Sequence, residues 1–186
     1  MPDGANKGSF VQGYNAQIAV DAAARVIVAA DVTQETNDKQ QSTPMLQQVE
    51  ENLEQKPERA TADAGYFSEA NATDPSLEGI DLYIATGREN HSIPAEVIPV
   101  EPPPGATAKE KMRHKFRTES RRATYKMRKA IVEPIFGQIE EQLGFRRFSL
   151  RGRENARREW RLVCAVSNLL KLFRSGRTPE MAIQGA

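Results

Sequence analysis

The spacing of apolar residues changes several times between residues 13 and 87, and these changes constrain the fold more than any other feature. In "GYNAQIAVDA" apolar and polar positions alternate, with Ile18 and Val20 on one face and Asp21 at the end. "RVIVAADVTQ" follows after three alanines and has the same strand-forming character. The two segments therefore predict adjacent antiparallel strands or a β-hairpin.

Residues 36–55, "TNDKQQSTPMLQQVEENLEQ", change to the spacing of a helix. One apolar stripe, of the kind that faces a core, contains Met45, Leu46, Val49 and Leu53. Two starts of this helix stay open. They are Asn37 or Asp38 as the N-cap, or Thr43 followed by Pro44.

Two further short strands are predicted beyond Pro57, which ends the helix. The first, in "RATADAGYFS", runs into Asp63 and Gly65, and the second is "IDLYIAT" after a polar loop at residues 68–78. The order strand, strand, helix, strand, loop or short helix, strand predicts a mixed α/β sheet with at least one crossover connection.

Proline divides the chain into two parts. Residues 92–106, "SIPAEVIPVEPPPGA", contain five prolines and predict an extended linker between a sheet part at 1–91 and a helical part at 107–186. Thr107 and Glu110 form a capping-box pattern at the start of the helical part. Helical blocks are predicted at 107–143 and 154–174, separated by "GFRRFSLRG".

The charges are distributed unevenly between these parts. Residues 107–177 contain 20 Lys or Arg against 7 Asp or Glu, whereas residues 1–106 contain 6 against 17. A basic helical region favours a polyanionic partner, and nucleic acid is the commonest one. The alternative is intramolecular, with the basic part packed on the acidic part.

Cysteine content and hydropathy exclude some classes of protein. The one cysteine, Cys164, lies in an apolar helical pattern, which predicts a buried and inert thiol and excludes a disulfide within the chain. No segment approaches 18 consecutive apolar residues, and the start of the sequence lacks a signal peptide pattern. We therefore expect no membrane span and a reducing, cytoplasmic environment.

Asp63 is the first candidate for chemistry. It follows a predicted strand, at the edge where open α/β sheets place their ligands. Gly65 beside it permits a tight turn and a close backbone approach. The simpler interpretation is that this Asp accepts a hydrogen bond from its own turn.

Glu133 is the second candidate, in "YKMRKAIVEPIFGQIEE". It follows Tyr125, Arg128 and Lys129 on one predicted helix. The simpler interpretation is an ion pair with Lys129, four residues earlier. Pro134 complicates this helix, because a proline inside a helix either bends it or marks the start of a new one.

Together, Asp63 and Glu133 suggest a two-metal site for phosphoryl transfer, in which Mg²⁺ or Mn²⁺ would suit the hard carboxylate oxygens. Such a site normally needs three carboxylates, so two alone are a weak signal.

Several blocks resemble, in the same order, the DDE transposases of bacterial insertion sequences. They are "GYNAQIAVD", "DVTQETND", "TADAGY", "YKMRKAIVEPIFGQIEE", "GFRRFSLRG" and "EWRLVCAVSNLLKL". The resemblance implies an RNase H-like core, two divalent metals held by Asp, Asp and Glu, and DNA as substrate. The implied reaction is hydrolysis at the transposon end, followed by attack of the freed 3′-hydroxyl on target DNA.

The resemblance assigns roles residue by residue. Asp63 matches the second catalytic Asp, and Glu133 matches the catalytic Glu. Tyr125 and Arg128 match residues that contact DNA near the scissile phosphate. Among the basic residues, the expected DNA contacts also include Lys129, Arg146, Arg147, Arg151 and Arg153.

Three departures from the family pattern stand out. The family usually has three residues between its basic residue and the Glu, a spacing that Lys129 has and Arg128 lacks. Glu140 stands where a lysine usually follows the Glu. The first catalytic Asp, which in the family precedes the "GYNAQ" block, has no match, since Asp3 lacks a strand and Asp21 corresponds to a non-catalytic residue.

These departures predict the C-terminal part of a transposase, without its first core strand and without its N-terminal DNA-binding domain. Such a part could come from a truncated gene, a frameshift or one reading frame of a split element. The uncovered sheet edge would favour self-association or binding of the missing part. We expect little or no strand cleavage by this chain alone, and a nucleoid-associated location.

Two other interpretations stay open. The chain could bind DNA through its basic helices without catalysis, or it could be a remnant without a selected function.

Overall fold

The computed structural model describes residues 13–87, 102–117 and 119–176. In the first range β1 (Asn15–Val20), β2 (Ile27–Thr33), α1 (Ser42–Leu53) and β3 (Arg59–Ala62) precede α2 (Glu69–Ala72) and β4 (Asp81–Ile84). Short 3-10 turns flank α2 at Ala64–Tyr66 and Pro75–Leu77. The remaining helices are α3 (Ala108–Lys115), α4 (Glu119–Gln142) and α5 (Arg153–Arg174).

The first two strands form the predicted hairpin. β1 and β2 are antiparallel, from the pair Asn15 and Thr33 to the pair Val20 and Ile27, with a bulge near Val20. The connecting turn is closed by Asp21, whose carboxylate accepts a hydrogen bond from the Ala24 amide. The prediction that Asp21 ends the first strand is therefore confirmed.

The later strands form a parallel pair. β3 and β4 pair from Arg59 and Asp81 to Ala62 and Ile84, and the crossover between them contains α2. The described strands thus make two separate two-stranded sheets, so the prediction of a single mixed sheet is wrong. Side chains connect the sheets instead, because the Tyr66 hydroxyl donates to Oε1 of Gln17 on β1.

The class of the fold is mixed α/β, as predicted from the sequence. Two small sheets do not test an RNase H-like arrangement or the loss of a first strand, and both stay predictions.

The main core lies between the hairpin and the two long helices. Trp160 on α5 is only 2% exposed and stands at the centre of this core, with Ile139 of α4 and Val32 of β2 in the same cluster. The Trp160 indole N–H donates to the backbone carbonyl of Gln17 at 2.9 Å. Burial of this polar group inside an apolar core is tolerated because the hydrogen bond satisfies it.

Cys164 is buried in the same core and is a free thiol, as predicted. Burial raises the pKa of this thiol to about 12, because a thiolate there would be poorly solvated. The thiol is therefore inert at neutral pH.

Two smaller clusters complete the packing. On β2, Ala29 faces α1 and packs with Met45 and Val49, so these two members of the predicted stripe face a core. Leu46 is partly buried against another cluster, whereas Leu53 is 50% exposed and the prediction is wrong for it. α3 packs on β4, where Met112 and Phe116 are buried with the strand residues. The hairpin of β1 and β2 is therefore covered by α1 on one face and by α4 and α5 on the other.

The helical part begins as predicted and then differs in detail. The capping box of Thr107 and Glu110 is present, with the Thr107 amide 2.8 Å from Oε2 of Glu110. The block predicted at 107–143 comprises two helices, α3 and α4. α4 continues through Pro134, so no new helix starts there.

Most of the predicted linker, residues 92–101, lies outside the described residues, and the division of the chain at 92–106 stays a prediction.

Candidate functional site

Asp63 is positioned directly after β3, at the carboxyl end of the parallel pair. Its Oδ1 accepts a hydrogen bond from the Gly65 amide at 2.9 Å and so caps the 3-10 turn. The side chain is 46% exposed. The simpler interpretation, that this Asp accepts a hydrogen bond from its own turn, is therefore correct for Oδ1. Oδ2 is directed toward Arg128.

Asp38 approaches the same turn from the loop after β2. A Cβ at position 65 would lie 3.1 Å from Oδ1 of Asp63 and 3.4 Å from Oδ2 of Asp38. The glycine therefore allows both carboxylates to lie close to the backbone of this turn. Two carboxylates so near each other repel unless cations or hydrogen-bond donors compensate them.

Amide donors on β1 compensate Asp38. Its Oδ1 accepts hydrogen bonds from the side-chain amides of Asn15 at 2.5 Å and Gln17 at 2.9 Å. The two donors are two residues apart, and side chains at that spacing lie on one face of a strand. Gln17 is only 3% exposed, so its amide depends on these partners rather than on water.

Tyr66 joins this network through its hydroxyl, which donates to Oε1 of Gln17. Burial raises the pKa of the Tyr66 phenol well above its usual range, and the carboxylates of Asp38 and Asp63 raise it further. The cation of Arg128 opposes this effect only in part. The phenol is therefore neutral and acts as a hydrogen-bond donor.

Arg128 of α4 faces Asp63. Its Nη1 lies 3.8 Å from Oδ2 of Asp63, and its side chain is 17% exposed. The guanidinium also lies over the Tyr125 ring, 5.5 Å from the centroid. Its Nε is buried without a hydrogen-bond partner among the described residues. Arg128 is thus a residue of α4 that the fold brings to Asp63.

Tyr125 is half-buried between α3 and α4 and packs edge-on against Phe116, with ring centroids 5.0 Å apart. Lys129, by contrast, is exposed.

Glu133 lies on a different side of the helix. It is exposed, whereas Ile131 and Ile135 on either side of it are buried. Five residues correspond to a rotation of about 140° around a helix, so Glu133 points well away from the direction of Arg128. In the described part of the chain no hydrogen bond or ion pair joins Glu133 to Lys129 or to Asp63, and the pairing of Glu133 with Asp63 stays a prediction.

The segment between α4 and α5 presents three of the predicted DNA contacts. Arg146, Arg147 and Arg151 are all exposed. Arg146 has a loose ion pair with Glu141, 3.5 Å apart and exposed on both sides, which contributes little. Arg153 lies 3.8 Å from Glu154 at the start of α5.

Other cations of the helical part bind acids of the sheet part. Arg157 pairs with Asp31 of β2 through Nε at 2.5 Å, and Lys115 pairs with Asp81 of β4 at 2.6 Å. The alternative in which basic residues pack on the acidic part is therefore correct for these two cations. The arginines between α4 and α5, in contrast, have exposed side chains.

The described carboxylates do not fit a two-metal site. Over 13–87, 102–117 and 119–176 no group of three or more Asp, Glu, His or Cys is placed to hold a metal ion. Asp63 has Asp38 near it, but Asp38 is bound by amides and Asp63 faces a guanidinium.

Sequence patterns had missed the role of Asp38 and Gln17. Helical spacing predicts Asp38 only as a helix cap, yet α1 starts at Ser42 with Gln41 at the N-cap position. Polar residues at alternate positions of β1 were the one local signal, since they indicate a polar strand face. Their partners lie more than 20 residues away along the chain, and spacing alone does not identify them.

Residues 2–169 match the family model described as "Transposase DDE domain". Members of that family act on DNA and generally use divalent metals. Neither a curated protein nor a solved structure matches the chain significantly. None of the described helices is both long and apolar enough to cross a membrane.

Proposed function

Because the chain belongs to the transposase DDE domain family, we propose that it serves the DNA transposition of an insertion sequence. Asp63 would be the second catalytic Asp and Glu133 the catalytic Glu on an RNase H-like scaffold. The position of Asp63 at the carboxyl end of β3, beside Arg128, supports this assignment.

In such sites two divalent cations, Mg²⁺ or Mn²⁺, stabilise the attacking and leaving oxygens of the phosphodiester. Three observations support an incomplete site: no group of three or more possible metal ligands occurs among the described residues, Glu133 is exposed, and Asp63 faces a guanidinium. We therefore propose that this chain in this conformation does not cut DNA. Cleavage would need a further carboxylate to join Asp63 and Glu133.

The cations of α4 would contact DNA near the reacting phosphate. Arg128 is held between Asp63 and the Tyr125 ring, so its guanidinium is already placed before DNA arrives. Lys129 is exposed one position further along. Placing Arg128 in advance reduces the entropy lost on binding.

A second candidate function is DNA binding without catalysis. The observation that favours it is the exposed arginine group between α4 and α5, which the sheet part of the chain does not neutralise. Transposon ends and target DNA are the proposed partners, and nucleoid association would follow from such binding. Self-association, or binding to another segment of a transposase, remains part of this proposal.

The experiment incubates the chain with labelled duplex DNA in Mg²⁺ or Mn²⁺ and measures binding and strand cleavage in the same samples. We expect binding without cleavage, because the described residues contain no group of three or more possible metal ligands. Asp63→Ala is expected to retain DNA binding, because the exposed arginines between α4 and α5 do not depend on this carboxylate.

Metal-dependent cleavage by the unmodified chain that Asp63→Ala abolishes would show that the site is complete in solution, contrary to this proposal. Absence of DNA binding would contradict both candidate functions.

A further inference from the structure

The segment between α4 and α5, residues 144–152, has a defined shape and is called the arginine loop below. It begins and ends with glycines in the left-handed region, Gly144 at φ 64° and Gly152 at φ 84°. A residue with a side chain is strained in this region, so both ends favour glycine. Nothing lies within 4 Å of a Cβ at either position, which means that backbone conformation alone requires them.

Aromatic residues attach the inner side of the arginine loop to the main core. The rings of Phe145 and Phe148 pack edge-on, 5.3 Å apart, and Phe145 lies 5.7 Å from the Trp160 ring. Phe148 also packs against Tyr14, just before β1, at 5.5 Å. Edge-to-face aromatic pairs at these distances are favourable, so the loop has a fixed inner face.

One acid supports the backbone of the loop. Glu159 of α5 accepts hydrogen bonds from the Ser149 amide at 2.9 and 3.1 Å and from the Leu150 amide at 3.0 Å. Desolvation of the carboxyl works against ionisation, yet the amides of Leu150 and Ser149 hold the pKa of Glu159 below its usual value. The carboxylate is therefore ionised at neutral pH and occupied by backbone donors rather than by an arginine.

The outer side of the loop is cationic. Arg146, Arg147 and Arg151 are exposed, whereas Phe145 before them and Phe148 among them are partly buried. The alternation of inward rings and outward guanidinium groups depends on the backbone path that Glu159 stabilises.

We propose that Glu159 is a positioning residue for DNA binding, because it fixes the loop backbone that presents Arg146, Arg147 and Arg151 to the phosphates of duplex DNA. This inference rests on the proposed function, in which the chain binds DNA. Guanidinium groups are suited to phosphate oxygens, and a fixed backbone lowers the entropy that binding would otherwise cost.

Two explanations predict opposite changes in DNA affinity when the Glu159 carboxylate is removed, and the first considers charge alone. Loss of an anion from a basic surface should strengthen the attraction to DNA. If the hydrogen bonds to the loop backbone affect DNA affinity more than the charge does, Glu159→Gln weakens binding. A glutamine has one acceptor oxygen, and its amide donors face the loop N–H groups. The sign of the change therefore separates the two explanations.

Glu141 provides the matched control. It is an exposed acid next to the same loop, but it contacts the side chain of Arg146 and no backbone amide. Glu141→Gln removes the same charge without affecting the loop backbone. We expect this variant to bind DNA as tightly as the unmodified chain, or more tightly.

The experiment measures binding of each full-length chain to a fluorescein-labelled DNA duplex by anisotropy over a series of salt concentrations. We expect Glu159→Gln to bind about fivefold more weakly, as expected for one loop that must be ordered on binding. The slope of log affinity against log salt should also become shallower, because fewer phosphates are contacted together. A purely structural role would lower the folded fraction without changing that slope.

Gly152→Ala is the second variant, in case Glu159→Gln is unstable. It strains the other end of the loop without meeting an atom within 4 Å, and it should also lower affinity and slope. Trp160 is the only tryptophan, and its fluorescence reports whether the aromatic packing is retained.

If Glu159→Gln and Gly152→Ala both bound DNA at least as tightly as the unmodified chain, with the same slope, the positioning role of Glu159 would be wrong. The proposed DNA binding would not be affected. Preference for single-stranded RNA over duplex DNA would overturn the assigned partner. No binding by the unmodified chain would overturn the proposed DNA binding as well.

Discussion

At the scale of single residues, the surroundings of Asp63 show which interactions hold the candidate site together. Asp38 and Asp63 both lie against Gly65, and Arg128 is the cation that reaches Asp63. Asp38 is held instead by two neutral amides of β1. The turn that contains Asp63 is therefore stabilised by a hydrogen-bond network of Asp38, Gln17 and Tyr66 that connects the two sheets.

Replacing Asp38 by Ala tests this network. The change leaves the amides of Asn15 and Gln17 without their acceptor, and Gln17 is almost completely buried. We expect the free energy of unfolding to fall by about 1–2 kcal/mol, measured by urea denaturation, since unsatisfied buried donors cost that order of energy.

Glu35→Ala, an exposed acid in the same loop, is the matched control and should change stability little. An Asp38→Ala variant as stable as the unmodified chain would mean that relief of repulsion with Asp63 offsets the lost hydrogen bonds.

At the scale of elements, α4 decides which side chains meet the site. Its inward stripe contains Arg128, Ile131, Ile135 and Ile139. Pro134 is exposed and inside the helix, where it removes one backbone hydrogen bond and crowds the preceding turn. The orientation of Glu133 is therefore set by the buried isoleucines and not by the proline.

We predict that Pro134→Ala stabilises the chain. Alanine restores the missing amide donor in a helix that is already continuous, and the penalty of an interior proline is up to about 3 kcal/mol. We expect the substitution to raise the midpoint of thermal unfolding, which circular dichroism measures.

Gly137→Ala, one turn later, is the comparison. A Cβ there has open space, so we expect a gain of about 1 kcal/mol from helix propensity alone. If Pro134→Ala lowered the melting temperature while Gly137→Ala raised it, the proline would have a structural role that a continuous α4 does not explain.

At the scale of the whole molecule, the uneven charge distribution has two consequences. Some cations of the helical part bind acids of the sheet part, as Arg157 binds Asp31, and so help to join the two parts. The arginine loop, in contrast, is attached through its aromatic residues and keeps its cations exposed. The same basic region thus contributes to packing and leaves a surface for a polyanion.

The local elements of this fold were predictable from the sequence because they depend on local spacing. The hairpin, the capping box at Thr107 and the strand before Asp63 follow from periods of two residues or from turn residues. The separation into two sheets was not predictable from local spacing, because strand pairing depends on contacts between distant residues, and so does the Tyr66–Gln17 hydrogen bond that connects the sheets.

For the candidate site, the sequence identified Asp63 and Arg128 but not their contact. Helical spacing placed Glu133 near Lys129, yet which face of α4 turns inward was decided by packing against β1, β2 and α5. The exposed side chains of the arginine loop followed from composition, whereas the role of Glu159 depends on the path of the loop backbone.

The most direct test of the account is the salt dependence of DNA binding by a chain in which Arg146, Arg147 and Arg151 are replaced by Ala. Each phosphate contact contributes roughly 0.9 to the slope of log affinity against log salt, so losing three contacts should reduce the slope by about 3. The control replaces three exposed cations of α3, Lys109, Lys111 and Arg113, and should leave most of the slope intact. Equal slopes for the unmodified chain and the loop variant would contradict the central claim that the arginine loop is the DNA-binding surface.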